Sequence, residues 1–219
     1  MASTTEFPKP KFITGGCLCG SLTYRIDFPE NHDFEMSSST CQCTQDRKST
    51  GSFFFASHRV ARRAFRWTSA GASGGGTTTT TTLGRYNATP AAERGFCTRC
   101  GSFLYWRRIA TNLGGGGSGL GSDENENDGS GGAAKEEEEE EEEGGSISIA
   151  VGTVDPLFLF GEGAAADGAA AEGVPGGGFG VALANGAGGH EWCRNEIPGV
   201  TDRMAYLHER GRRWPGDSE

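Results

Sequence analysis

The 219-residue chain has no run of apolar residues long enough to cross a membrane, since no window approaches the roughly 18 consecutive apolar residues of a membrane helix. Its first residues, Met1–Phe12, also have no apolar core of the kind found in a secretory signal. We therefore expect a protein of the cytoplasm, with the nucleus as the other compartment, and no membrane partner. Nothing in the sequence indicates an oligomeric state.

Core-forming sequence is scarcer than the length suggests. Three low-complexity segments, 69–82, 112–145 and 161–189, hold 26 of the 37 glycines. They contain few apolar side chains to offset about 1–2 kcal/mol per residue for ordering the backbone. We expect them to be poorly ordered loop inserts. The predicted organisation is an N-terminal tail (1–10), a single β domain with these inserts (11–200) and a C-terminal tail (201–219).

The acidic balance of the chain belongs to one insert. The formal net charge is −9, but the segment 112–145 alone contains twelve acidic residues, including the run Glu136–Glu143, against one lysine. The rest of the chain is close to neutral, so the overall charge indicates little about substrate or partner. We interpret the glutamate run as a solvated spacer.

Short alternating segments predict a mainly β fold. In Ser21–Phe28, apolar side chains alternate with polar ones, the pattern of a half-buried strand. Two short stretches, Gln45–Ser52 and Met204–Arg210, have room for a helical turn or two. Further segments rich in β-branched and aromatic residues or with alternating apolar residues predict strands at Phe53–Val60, Phe65–Thr68, Ser102–Ile109 and Ser146–Val151. We expect the strands to pair mainly antiparallel.

Six of the seven cysteines occur in close pairs, and Cys193 stands alone. In a reducing compartment, such pairs favour metal ligands over disulfides. Two of the pairs are followed directly by a glycine, which permits the tight turn of a metal knuckle. These two pairs are Cys17 with Cys19 and Cys97 with Cys100. Together they supply the four thiolates of a closed, structural zinc site, and the alternative is four buried or free cysteines.

The remaining pair, Cys41 and Cys43, cannot close a tetrahedral site by itself. A metal here needs a third ligand, and the candidate is Asp46, although a carboxylate oxygen is a harder ligand than a thiolate. Three protein ligands leave one position open, which is the arrangement of a catalytic zinc. We expect the three side chains to lie together in a cleft that solvent can reach.

A basic cluster between positions 59 and 66 raises a nucleic-acid hypothesis. Its arginines could contact phosphates while Phe65 and Trp67 stack on bases. The alternation instead predicts that both aromatic side chains face a core, so we do not expect a nucleic-acid partner. We interpret His58, His190 and Cys193 as structural residues. The arginines of the cluster are Arg59, Arg62, Arg63 and Arg66.

Four sequence blocks resemble the family of glutathione-dependent formaldehyde-activating enzymes, which also includes centromere protein V. The blocks are GGCLCGSLTYRI (15–26), STCQCTQDRKSTGS (39–52), RGFCTRCGSFL (94–104) and SISIAVGTVDP (146–156). The resemblance implies a β-tent fold in which the first and third cysteine pairs hold a structural zinc. It also implies a catalytic zinc in a C-x-C-x-x-C motif, which matches here at Cys41 and Cys43 but ends at Asp46.

The activity that the resemblance implies is the reversible joining of glutathione and formaldehyde to S-hydroxymethylglutathione, a carbon–sulfur lyase reaction. The expected partner is then a small thiol adduct, with Cys41, Cys43 and Asp46 as the catalytic site. Because Asp46 stands where a cysteine is expected, a non-catalytic, zinc-stabilised binding module is the alternative. A chromatin or nucleic-acid role like that of centromere protein V is a third hypothesis.

Overall fold

A computed structural model describes residues 7–69, 82–109, 145–161 and 173–216. Most of the first two predicted inserts and residues 162–172 of the third lie outside the described residues. None of the helices within the four described ranges is long and apolar enough to cross a membrane.

The described residues are mainly β, as predicted. The strands are β1 (Phe12–Gly16), β2 (Thr23–Asp27), β3 (Ser38–Cys41), β4 (Phe55–Ala61), β5 (Phe65–Trp67), β6 (Leu83–Thr89), β7 (Ala92–Cys97), β8 (Phe103–Arg108), β9 (Ser146–Ala150) and β10 (Gly189–Glu191). The α-helices are α1 (Thr44–Thr50), α2 (Pro156–Phe160) and α3 (Gly180–Ala184). Short 3-10 helices cover Arg62–Ala64, Val151–Thr153, Cys193–Asn195, Thr201–Arg203 and Ala205–Leu207.

The strands form two sheets. The smaller has the order β1-β2-β5 and the larger the order β10-β3-β4-β9-β8-β7-β6. Every pair of neighbouring strands is antiparallel except β10, which runs parallel to β3. The predicted antiparallel pairing is therefore confirmed for most of the fold. The tent arrangement stays a prediction from the family resemblance.

Each of the five predicted strands overlaps an observed one. The strands that the prediction missed have no alternation of apolar and polar residues in their sequence. Strand β7 is buried along nearly its whole length, including the charged side chains of Glu93 and Arg94. A strand covered on both faces shows no period of two, so its pattern does not distinguish it from a loop. Strand β10 has only three residues, which is too short to show a period.

The core packs between the two sheets. Tyr24 and Ile26 of β2 are almost completely buried, as are Ile147 and Ile149 of β9. These are the apolar positions of the alternating segments in the sequence. Phe65 is buried and Trp67 packs against the same core, which confirms that the aromatic side chains of the basic cluster face inward.

Residues 173–189 of the predicted insert 161–189 differ from the poorly ordered loop that the sequence predicts. Helix α3 lies in it, and Ala182 and Leu183 are completely buried in the core. The prediction rested on the average composition of the segment, which is mostly glycine and alanine. This average does not show that a few apolar side chains are clustered near position 183. Residues 173–189 are therefore part of the packed domain and not a poorly ordered loop.

The predicted C-terminal tail also contacts the domain. Thr201 and Leu207 are completely buried, and Arg213 forms a β-bridge with His190 of β10. The rings of Trp192 and Trp214 meet edge to face at 5.6 Å. The described residues after 200 therefore pack on the β10 edge of the larger sheet.

His58 joins α3 to the larger sheet. Its Nδ1 lies 3.1 Å from the carbonyl oxygen of Leu183 and its Nε2 lies 2.9 Å from Nε2 of His32. Since a carbonyl can only accept, His58 carries its proton on Nδ1 and accepts from His32. Burial lowers the pKa of His58 to about 3, which keeps this ring neutral. The structural interpretation of His58 agrees with these contacts.

We expect Leu183→Ala to lower the free energy of unfolding by about 2–5 kcal/mol, because it removes a buried side chain from the core. The control is Val181→Ala in the same helix, where the side chain is 60% exposed and the expected change is within about 0.5 kcal/mol. Urea denaturation of the three proteins measures both effects. Equal stability of Leu183→Ala and wild type would mean that α3 does not pack on the sheet.

Candidate metal centres

The first and third cysteine pairs meet at one point between the sheets. Cys17 and Cys19 follow β1 of the smaller sheet, while Cys97 ends β7 of the larger sheet and Cys100 follows it. Their four sulfur atoms all lie within 4.8 Å of one another. The sulfurs of Cys17 and Cys19 are 3.5 Å apart, and those of Cys19 and Cys97 are 3.8 Å apart. These separations are those of four ligands around one tetrahedral ion, so the cluster is a potential metal site that links the two sheets.

Tight turns present these sulfurs. Gly20 has φ +71° and Gly101 has φ +76°, the left-handed backbone that glycine adopts without strain. Each glycine donates its N–H to the carbonyl of the first cysteine of its pair, at 2.9 Å for Gly20 and 2.8 Å for Gly101. The left-handed conformation expected after each cysteine pair is thus present.

Hydrogen-bond donors surround the sulfurs. Burial raises the pKa of Cys17, but hydrogen bonds from the Ser21 hydroxyl and the Leu22 N–H outweigh it, and the net pKa is lowered. A hydrogen bond from Ser102 lowers the pKa of Cys100 to about 5. Burial raises the pKa of Cys97. The donors favour the thiolate form at Cys17 and Cys100, which is the form that binds a metal.

The second cluster forms where β3 passes into α1. Cys43 is the N-cap residue of α1, and its sulfur accepts the backbone N–H of Asp46 at 3.3 Å. This turn brings Asp46 back toward the strand, so one ligand atom from each of Cys41, Cys43 and Asp46 lies within 4.8 Å of the others. The structure therefore brings together the three side chains that the sequence analysis selected, as a second potential metal site.

Arg94 of β7 is a part of this cluster that the sequence analysis missed. Its Nη2 and Nε donate to Oδ1 of Asp46 at 2.8 Å and 3.3 Å, and both side chains are at most 7% exposed. The two residues are 48 positions apart, and no local pattern indicates that they meet.

The two sulfurs of the second cluster differ in their affinity for protons. The hydrogen bond to Cys43, burial and the negative charge of Asp46 hold the pKa of Cys41 above its ordinary value. The same hydrogen bond lowers the pKa of Cys43. The two sulfurs therefore bind a proton with unequal affinity, because two thiolates beside a carboxylate would repel each other in a buried site.

The second cluster is more enclosed than expected. Cys43 is 8% exposed and Asp46 is 5% exposed, while Cys41 is half-buried. Gln42 lies between the two cysteines in the sequence; its side chain is completely buried, and neither the amide nitrogen nor the amide oxygen has a hydrogen-bond partner in the described part of the chain. The same holds for Nη1 of Arg94. Buried polar atoms of this kind ordinarily contact a ligand, an ion or a water molecule.

The other candidate side chains lie outside both clusters. His190 is buried between the Thr40 hydroxyl at 2.7 Å and the carbonyl oxygen of Arg210 at 2.8 Å. The sulfur of Cys193 donates to the carbonyl oxygen of His190 at 3.2 Å. These contacts agree with the structural interpretation of both residues.

We expect Cys97→Ser to lose one bound metal ion per chain and to lower the thermal midpoint, because three thiolates no longer close the site between the sheets. Cys193→Ser is the matched control and should retain the metal content and midpoint of the wild type. Elemental analysis and thermal unfolding measure the two quantities. Unchanged metal content in Cys97→Ser would contradict the assignment of this cluster.

Comparison with known proteins supports the family resemblance for the first three sequence blocks, while the fourth block, 146–156, lies outside the matched range. The family model of glutathione-dependent formaldehyde-activating enzymes matches residues 12–116, which include all three cysteine pairs and Asp46. No curated protein matches the chain. Strands β9 and β10 and helices α2 and α3 follow the matched range. Over residues 12–116, the chain therefore carries a domain of the glutathione-dependent formaldehyde-activating enzyme family.

Proposed function

We propose that the protein is a zinc-dependent carbon–sulfur lyase that acts on the adduct of glutathione and formaldehyde or on a related thiol adduct. The observation that carries this proposal is the cluster of Cys41, Cys43 and Asp46, whose ligand atoms lie within 4.8 Å of one another. The family match relates the domain to glutathione and formaldehyde. The cysteine cluster at Cys17, Cys19, Cys97 and Cys100 is the proposed structural zinc site.

The donor set of the second cluster suits zinc. Two thiolates and one carboxylate give three protein ligands and leave a fourth position open. A divalent ion with these ligands has a net charge of about −1, and the guanidinium of Arg94 returns the group to neutrality. Charge balance matters here because Asp46 and Arg94 are both at most 7% exposed.

The chain's own residues hold the site in shape. Arg94 holds Oδ1 of Asp46, and Cys43 fixes the start of α1. A zinc ion bound there would supply an open position that lowers the pKa of a substrate thiol. In the joining direction, the substrate thiol loses its proton and its sulfur forms a bond to the aldehyde carbon. The carbon–oxygen double bond becomes a single bond, and that oxygen takes a proton. The lyase direction breaks the same carbon–sulfur bond.

The same ion pair favours a second candidate, a zinc-stabilised binding module without a catalytic metal. Arg94 gives Asp46 a buried, charged partner at 2.8 Å, so the carboxylate is stabilised even with no metal beside it. In this alternative the first cluster holds the only zinc.

Asp46→Ala should reduce the zinc content from two ions per chain to one, because two ligands seldom retain the metal. The rate of S-hydroxymethylglutathione formation from formaldehyde and glutathione should then fall to the uncatalysed rate. Asp202→Ala, which removes an exposed carboxylate, is the control and should leave both quantities unchanged. One zinc per wild-type chain, with no rate above the uncatalysed reaction, would favour the binding module.

We also expect Asp46→Cys by itself to destabilise the protein, by about 3–5 kcal/mol, because it leaves the buried guanidinium of Arg94 without its carboxylate. In Asp46→Cys/Arg94→Met, which removes both charges, much of this loss should be recovered and zinc should bind more tightly than in the wild type. Urea denaturation and competition with a zinc-binding dye measure the two effects. Additive losses in the double variant would contradict the coupling between Asp46 and Arg94.

A further inference from the structure

Arg59 lies exposed on the face of the larger sheet that is turned away from the smaller one. Its neighbour Val60 is buried in the core between the two sheets. Successive side chains of a strand point to opposite faces, so the side chain of Arg59 points away from that core. Within the described residues, this side chain forms no ion pair and no hydrogen bond.

The strand register connects Arg59 to the second cluster. Arg59 lies opposite Ser148 of β9, which lies opposite Trp106 of β8. Trp106 in turn lies opposite Arg94 of β7, which contacts Asp46 at 2.8 Å. Directly opposite residues on neighbouring strands share a face, so these side chains form one row across the sheet. Three strand spacings give the row a length of about 14 Å from Arg59 to Arg94.

The middle of this row is partly open and the two ends are charged. Ser148 and Trp106 are both half-buried. The serine side chain is small, and the indole ring offers an apolar surface against which methylene groups can pack. A ligand that lies along the row therefore meets the second cluster at one end, an apolar middle, and the guanidinium of Arg59 at the other end.

Glu191 of β10 adds a negative charge to the same face. It lies opposite Cys41, and Cys41 lies opposite Phe55, which is four positions before Arg59 on β4 and so shares its face. Partial desolvation and the negative charge of Asp46 raise the pKa of Glu191, while the positive charge of Arg59 lowers it. The carboxylate of Glu191 is thus within electrostatic range of Arg59, although the two side chains form no ion pair.

We propose that this face binds the γ-glutamyl end of a glutathione-type thiol, with Arg59 holding its α-carboxylate and Glu191 its ammonium group. The choice of ligand rests on the proposed function. An α-amino acid group carries both charges on one carbon atom, so it fits between a guanidinium and a carboxylate that are near each other without pairing. The γ-glutamyl chain separates this group from the thiol, as the row separates Arg59 from the second cluster. Arg59 and Glu191 are then specificity residues.

Calorimetric titration with two ligands that lack a free thiol tests the proposal. S-methylglutathione has the α-amino acid group, whereas S-methyl-N-acetylcysteinylglycine lacks it and keeps the glycine carboxylate. The wild type should bind the first about a hundredfold more tightly. Arg59→Gln and Glu191→Gln should each reduce this preference about tenfold, because each removes one charged hydrogen bond.

Arg63→Gln is the matched control, since it removes an exposed arginine from the short helix that follows β4. It should keep the preference of the wild type. The preference is a ratio of two affinities measured on the same protein, so a smaller folded fraction in one variant does not change it.

An unchanged preference in Arg59→Gln or in Glu191→Gln overturns the proposal, and so does an equal loss in Arg63→Gln, which would follow net charge. Equal affinity of the wild type for both ligands, or no saturable binding of S-methylglutathione up to about 10 mM, also overturns it. Neither ligand can react, so this outcome is separate from turnover. A preference that depends on Arg59 in a protein without turnover supports this site and contradicts only the proposed lyase activity.

Discussion

The relative position of the two sheets depends on the contact between the first and third cysteine pairs. Four sulfur atoms within 4.8 Å of one another need either a shared cation or protons, and hydrogen-bond donors around Cys17 and Cys100 favour the thiolate forms. One pair follows β1 and the other lies between β7 and β8, so the cluster joins the edge of the smaller sheet to the larger sheet. This contact fixes how the sheets face each other, and the core lies between them.

Strand β7 contributes to both candidate metal centres. Cys97 at its end belongs to the four-sulfur cluster, and Arg94 contacts Asp46 of the second cluster. Neighbouring residues on a strand point to opposite faces, so Glu93, which accepts from Arg107 and Tyr105, lies on the other side of the larger sheet from Arg94. A change in the position of β7 would therefore disturb both clusters together.

The buried ion pair of Asp46 and Arg94 changes how the role of this aspartate is interpreted. On the sequence alone, Asp46 is a poor replacement for a thiolate, since it is a harder ligand. In the structure it is half of a buried ion pair with Arg94, whose guanidinium would offset the net charge left when two thiolates and this carboxylate bind a divalent ion. The pair gives the carboxylate a defined orientation and gives both functional hypotheses a physical basis.

Features that depend on neighbouring residues are visible in the sequence. The spacing of the cysteines, the glycines after two of the pairs and the alternation in β2 and β9 each appear within a few residues, and each predicted its structure. Features whose partners lie far apart in the chain become visible only in the folded molecule. Asp46 and Arg94 are 48 positions apart, and His58 and Leu183 are 125 apart. Leu183 stands in a glycine- and alanine-rich segment whose composition predicts a loop, and its burial depends on the sheet that it packs against. Local patterns record which side chains can be buried, but which of them meet depends on the packing of the two sheets.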